Sequence, residues 1–264
     1  MLGRRVKQRQ MPEVTLETVG PENLSVCGIG CITNSKHGGV PPKVEWLLGR
    51  FAEGLRFLLF RDGNGKPLAF LEYVPGEYAW RPVDANGWLF VHCLWVYPRG
   101  QAVGGLGSRL IQACVEQARR TNTRGVAAMV SDGPWMAGKQ VFLRNGFVQI
   151  AGRDRFQLVI HRLRKGSAPR FRDIGARWAR HRGLHIVYAP QCPYLPKSVS
   201  DVSAMAREHG LDVKVTVLRS AREAQEAPSR YGTFSILWNG RLLSDHYVSK
   251  GRFKNILRKE ILDR

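Results

Sequence analysis

No stretch of this 264-residue chain approaches the roughly 18 consecutive apolar residues of a membrane span. The N-terminal MLGRRVKQRQMPEV is basic but lacks an apolar core, so no secretory signal is expected. Acidic residues are scarce: 21 Asp and Glu stand against 41 Lys and Arg, a formal net charge of +20. That balance favours anionic partners: nucleic acid, a phosphate-bearing cofactor or an acidic surface. Cysteines are few and odd in number, at positions 27, 31, 93, 114 and 192. With no Cys-x2-Cys pair they suggest neither a disulfide framework nor a zinc site, and they predict free thiols in a reducing, cytoplasmic compartment. Internal repeats and low-complexity segments are also missing. What remains is 44% hydrophobic and 9% aromatic, enough for a sizeable core without staples. The length suits two domains of about 150 residues or one large one.

The charge is uneven. Between Gly152 and Arg182 ten Lys and Arg stand against Asp154 and Asp173. Such a segment reads as a nucleic-acid patch or, as the favoured alternative, an Arg-rich solvated connector.

Before it lies one mixed pattern. Apolar residues at helical spacing predict a helix over Val44–Leu55. Arg56–Arg61 and Pro67–Val74 read as strands joined by an Asp62-Gly63-Asn64-Gly65 hairpin turn. Trp88–Tyr97 (WLFVHCLWVY) is an almost unbroken apolar run, as in a strand buried on both faces. The Gly-rich PRGQAVGGLG follows, then an amphipathic helix over Ser108–Thr121 with Ser108 placed to cap it. Gly125–Val130 predicts a strand, and Trp135–Arg144 a helix stopped by Asn145-Gly146. Phe147–Gln149 and Phe156–His161 complete the strands of this part. After residue 183 a β-α-β…β-β-α order is expected. Its strands are Leu184–Tyr188, Asp212–Leu218, Thr233–Trp238 and Arg241–Ser244. One helix opens at Gln191-Cys192-Pro193-Tyr194 and runs to about His209, and a second spans Lys250–Ile261.

A glycine-rich turn between a buried strand and a helix lets backbone N–H groups approach a ligand, and the helix dipole favours phosphate. No Gly-Lys-Ser/Thr follows, so a P-loop does not fit. The stretch VHCLWVYPRGQAVGGLGSRLIQACVEQA resembles the central motif of the GNAT superfamily of N-acetyltransferases, and KQVFLRNGF (139–147) is similar to that family's distal helix end. The resemblance covers residues 14 to about 160. It implies a mixed central sheet with flanking helices, acetyl-CoA as co-substrate, and a central strand that splays from its neighbour around the pantetheine. The loop carries about one residue more than the family pattern, so the diphosphate amides are not individually assigned. The expected set is Gln101, Val103, Gly105, Gly107 and Ser108, with Leu94, Val96 and Phe142 beside the pantetheine. Phe142 stands where many family members carry a proton-donating Tyr, so another acid or water is needed.

Acetyl transfer requires a neutral amine and hence a base or proton path. His92 shares a strand face with Leu94 and Val96, and its reference pKa of about 6.5 suits the task. It reads equally well as a hydrogen-bonded core histidine. Glu72 and Asp132 are the other catalytic candidates, with an edge-strand surface group and a turn or cap residue as their plain alternatives. No metal is expected.

LHIVYAPQCPYLPKSVSDVSAMAREHG resembles the opening of a thioredoxin-like domain, which would give Cys192 thiolate character at a helix start. Leu195 replaces the second redox cysteine, so a scaffold or binding surface is favoured over disulfide chemistry. The combined layout, with LEYVPGEYAWRPV before the buried strand, looks like the bacterial YoaP-type acetyltransferases. The expected organisation is an α/β GNAT domain over 1–160, a basic linker over 161–183 and a small thioredoxin-like α/β domain over 184–264. The expected function is direct acetyl transfer to an amine of a small molecule or peptide. Alternatives are a non-catalytic CoA-binding protein and an RNA- or ribosome-associated acetyltransferase. No membrane partner is expected, and a homodimer is left open.

Overall fold

The computed structural model describes residues 14–175 and 177–263. Its larger sheet has seven strands in the order β1-β2-β3-β5-β6-β8-β7. These are β1 (Val14–Val19), β2 (Arg56–Asp62), β3 (Pro67–Pro75), β5 (Leu89–Val96), β6 (Gly125–Val130), β7 (Val148–Arg153) and β8 (Phe156–Arg162). The expected hairpin joins β2 to β3, where Gly65 takes the left-handed φ of +74° that the turn requires. Neighbours run antiparallel except β5 and β6, which are parallel and joined across α4 (Leu106–Arg120). The α4 stripe of Leu110, Ile111, Cys114 and Ala118 packs on one sheet face with Leu71 and Val126. The short α1 (Leu24–Cys27) and α2 (Val40–Phe51) cover the other, through Leu24, Trp46 and Leu47.

Several helix boundaries differ from expectation. Helix α2 begins four residues early, because Pro41 and Pro42 fall in its first turn, where a missing N–H costs nothing. Ser108 does not cap α4. Residues Pro98–Val103 form a separate short helix, α3, and left-handed Gly105 is the N-cap. The helix expected over Trp135–Arg144 shrinks to α5 (Lys139–Leu143), because Trp135 adopts a φ of +66° that no helix accepts. Gly146 does take the left-handed C-terminal turn, at φ +77°.

A second sheet has the order β11-β10-β12-β13, with β10 (Leu184–Tyr188), β11 (Val213–Val217), β12 (Phe234–Trp238) and β13 (Arg241–Ser244). β10 and β11 are parallel across α6 (Leu195–Glu208), and the other pairs are antiparallel. α7 (Ala221–Gln225) follows β11. α8 (Lys250–Leu257) closes the unit and continues to Leu262 in a wider π turn.

The two sheets share one interior. A single apolar cluster runs from Val19, Trp46 and Trp80 to Ile186, Phe234 and Phe253. The basic segment between them is not a free tether. Its strand β9 (Arg170–Phe171) pairs with β4 (Val83–Asp84), and Arg164 and Arg172 donate to the carbonyls of Thr123 and Val83. Arg155 meets Asp245 at 2.9 Å and Arg230 meets Asp154 at 2.8 Å.

Glycines mark where the two units' backbones touch. A Cβ on Gly39 would lie 1.7 Å from the Pro193 carbonyl oxygen, and one on Gly232 3.0 Å from that of Trp80. Gly39→Ala is therefore expected to cost about 1–3 kcal/mol through overpacking. Urea unfolding checks this, and an unchanged midpoint would show that the units separate freely at this contact.

Candidate active site

β5 and β6 pair only over Leu89–Val91 and Val126–Ala128. Beyond that point Leu94–Val96 hold only to β3 and Met129–Val130 only to β8. The strands part, and a cavity of about 640 Å³ occupies the opening. Leu94, Val96, Gln101, Val141 and Phe142 line it together with Glu72, Arg81, His92 and Cys93. Gln191, Cys192, Tyr194 and Tyr231 from the second unit close it.

Helix α4 starts beside this opening. Gly104 and Gly105 carry φ values of +80° and +69°, and open space lies where their side chains would be. Among the described residues nothing accepts from the backbone N–H groups of Gly105, Leu106, Gly107 or Ser108. Four unsatisfied donors at the positive end of a 15-residue helix suit an anion. Gly107 sits 3.4 Å from Val96 Cγ2, measured from an ideal Cβ, so a larger residue would press on the strand. The Ser108 hydroxyl accepts from Asn145 Nδ2 at 2.9 Å, and the same amide donates to the Val141 carbonyl at 2.7 Å. The two sequence motifs are thus joined directly, through a bond between the helix start and the Asn145-Gly146 turn. Val103 is half-buried but off the cavity wall.

His92 is on the wall and buried. The Trp80 N–H donates to its Nε2 at 2.9 Å, so a neutral ring must carry its proton on Nδ1, which has no partner. Burial, with Arg81, Lys43 and Arg50 adding to it, holds the imidazole well below its ordinary 6.5. The unfolded chain therefore takes up a proton below about pH 6.5 and the folded one does not. Stability should fall on acidification through that window by up to about 1.4 kcal/mol per pH unit from this group. In His92→Gln, urea unfolding at pH 5.5, 6.5 and 7.5 should show that part of the slope gone. Equal slopes would mean that His92 titrates normally in the fold.

Glu72 is not an edge-strand surface group. It lies in β3 opposite Cys93, is fully buried, and pairs with Lys43 Nζ at 2.7 Å through Oε1. Among the described residues its Oε2 has no partner. Lys43 also stands 4.3 Å from the Trp46 ring centre. Asp132 is exposed and off the cavity wall, so the structure does not bring it to His92 and Glu72.

Cys31, Cys93 and Cys192 all line the cavity. Burial pushes their thiols up, Cys93 to about 12. At Cys192 burial acts against the thiolate character expected of it. α6 begins only at Leu195, and burial of Cys192 outweighs the helix end. Among the described residues no group of three or more His, Cys, Asp or Glu is arranged to hold a metal ion.

Sequence reasoning missed Lys43, Arg81, Gln191 and Tyr231. A signal existed for Lys43, which shares one helix face with Trp46 and Leu47 at i+3 and i+4. Arg81, in AWRPV, gave none.

A family profile described as YoaP-like matches residues 213–255. Over 250 residues the chain is 26% identical to the "Uncharacterized N-acetyltransferase YoaP" of Bacillus subtilis, covering 93% of this chain and 97% of that one. Among solved structures, a GNAT family acetyltransferase from Brucella melitensis in complex with acetyl-CoA is similar, at 18% identity and a TM-score of 0.37. That match covers 59% of this chain and 94% of the other. A GNAT family acetyltransferase from Staphylococcus aureus Mu50 matches at 11% identity and a TM-score of 0.44, covering 58% and 100%. The chain has a mixed central sheet with flanking helices, and over nearly its whole length it is similar to YoaP.

Proposed function

We propose that this chain is an acetyl-CoA-dependent N-acetyltransferase that passes the acetyl group directly to an amine. One observation carries the reading: the free amides of Gly105–Ser108 begin a helix whose Gly107 abuts Val96 and Val141, two wall residues of the cavity that fills the β5–β6 splay. The amides would hold the diphosphate, with Gln101 alongside. Leu94, Val96 and Phe142 would flank the pantetheine and set the thioester near Glu72 and His92. The amine nitrogen attacks the carbonyl carbon, the C–S bond breaks with CoA leaving as the thiolate that water protonates, and the amine gives up a proton. His92 Nε2 is already occupied by a backbone N–H, whereas Glu72 Oε2 has free lone pairs. We assign the proton to Glu72 and a holding role to His92.

The second unit is read as a thioredoxin-like scaffold over 184–264. Its sheet order, its parallel first pair and its closing helix support this. In this reading it is a wall of the acceptor chamber and not a redox centre, which fits the raised Cys192 thiol. The basic segment is read as a bolt between the units, since Arg155, Arg164, Arg172 and Arg177 already bond within the chain. Five free cysteines suit a reducing compartment.

Isothermal titration with acetyl-CoA tests the proposal. One molecule should bind per chain, and binding should weaken at least about tenfold in Gly107→Val, whose side chain would crowd the amides and Val96. No heat at millimolar acetyl-CoA would remove it.

A further inference from the structure

The cavity holds a cation that the reaction scheme leaves unused. Arg81 is 3% exposed and lines the cavity wall. Its Nη1 bonds three neutral oxygens: the Trp80 carbonyl at 3.1 Å, Gln191 Oε1 at 3.0 Å and Thr233 Oγ1 at 3.0 Å. The guanidinium lies 4.7 Å from the Tyr231 ring centre, which fixes its plane. Among the described residues no carboxylate pairs with it. The one acid on this wall, Glu72, gives its bonded oxygen to Lys43. Among the described residues Nε and Nη2 donate to nothing, and neither is among the buried unpartnered atoms, so both are accessible on a side chain that lines the cavity.

Buried charges are normally paired, because an isolated one loses its hydration without return. Glu72 and Arg81 line the chamber, but Glu72 is paired with Lys43 behind the wall, so the positive charge left without a counter-charge sits on Arg81. Nε–H and Nη2–H form the edge of a guanidinium that matches two oxygens of one planar anion. Gln191 and Thr233, both from the second unit, hold this fork in place, which explains why the acceptor chamber needs that unit.

We propose that the acceptor amine carries a carboxylate, and that Arg81 binds this group through Nε and Nη2 while the amine faces the thioester. The substrate class is then amino acids or amino-acid-like compounds rather than polyamines or neutral amines. This rests on the acetyltransferase reading above.

The N-acetyl forms of the twenty common L-amino acids, which are the product class, serve as probes beside their matching N-acetyl carboxamides. Competition is read by calorimetry with CoA present. At least one free acid should bind about 30-fold or more tightly than its amide, the loss expected when a charge-assisted pair is removed. Arg81→Met should erase that difference, and Arg81→Lys should restore only part of it. A purely structural role for Arg81 would weaken acid and amide alike. CoA affinity within about threefold of wild type confirms that a variant is folded. If no acid outbinds its amide in wild type, or if the preference survives in Arg81→Met, the carboxylate assignment is overturned while the acetyltransferase reading stands. If CoA itself does not bind to wild type, the reading beneath both has failed.

Discussion

Glu72→Gln should lower kcat for acetyl transfer by about 10²- to 10³-fold, within the range for loss of a positioned base. Gln keeps an oxygen for Lys43 but has no carboxylate to take the amine proton; because it also leaves the buried Lys43 charge unbalanced, the rate is taken per folded protein, with urea unfolding run alongside. Acetyl-CoA affinity should stay within a few-fold, because Glu72 belongs to the acceptor side of the cavity and not to the amides of α4. His92→Gln should cost less, since an amide oxygen can still accept from the Trp80 N–H. CoA release followed with a thiol reagent, at saturating acetyl-CoA and across pH, separates the two. A full loss in His92→Gln with Glu72→Gln near wild type would reverse the assignment.

The same ion pair should dominate stability. Lys43 and Glu72 are each 1% exposed on the side chain, 2.7 Å apart, beneath Trp46. Removing one partner leaves a bare buried charge, so Lys43→Met should cost about 3–5 kcal/mol. Burial opposes the ammonium most strongly, but the charge and hydrogen bond of Glu72, joined by Cys31 and Cys93, together offset it, and Lys43 titrates above its ordinary value. Lys43→Met with Glu72→Leu removes both charges and should recover most of the loss, giving a stable but inactive protein. Urea unfolding of the three variants forms the cycle. A loss below about 1 kcal/mol in Lys43→Met would mean that the site takes in water and the pair is not dry.

How much of this was legible beforehand varies with the physics. Strands Gly125–Val130, Leu184–Tyr188 and Arg241–Ser244 have the bounds read from pattern, because glycine turns and unbroken apolar runs delimit them. The strand, glycine turn and helix that open on the splay were legible through local order, since they are contiguous in the chain. The helix start was misread because a serine caps well in general, whereas here Gly104 and Gly105 supply the left-handed turn and Ser108 is bound to Asn145. The opposite wall of the cavity was only half legible. Arg81 meets Gln191 and Thr233 across 110 and 152 residues, and no local periodicity records such contacts. Asp132 looked functional because it ends a core strand, but it leaves the sheet into an exposed turn.

The most direct test is a crystal structure of the chain with acetyl-CoA. The diphosphate oxygens are expected within hydrogen-bond distance of the Leu106, Gly107 and Ser108 amides, with the thioester between Leu94 and the Glu72 carboxylate. A nucleotide bound elsewhere, or a splay filled by the chain's own side chains with the amides still open to solvent, would contradict the account.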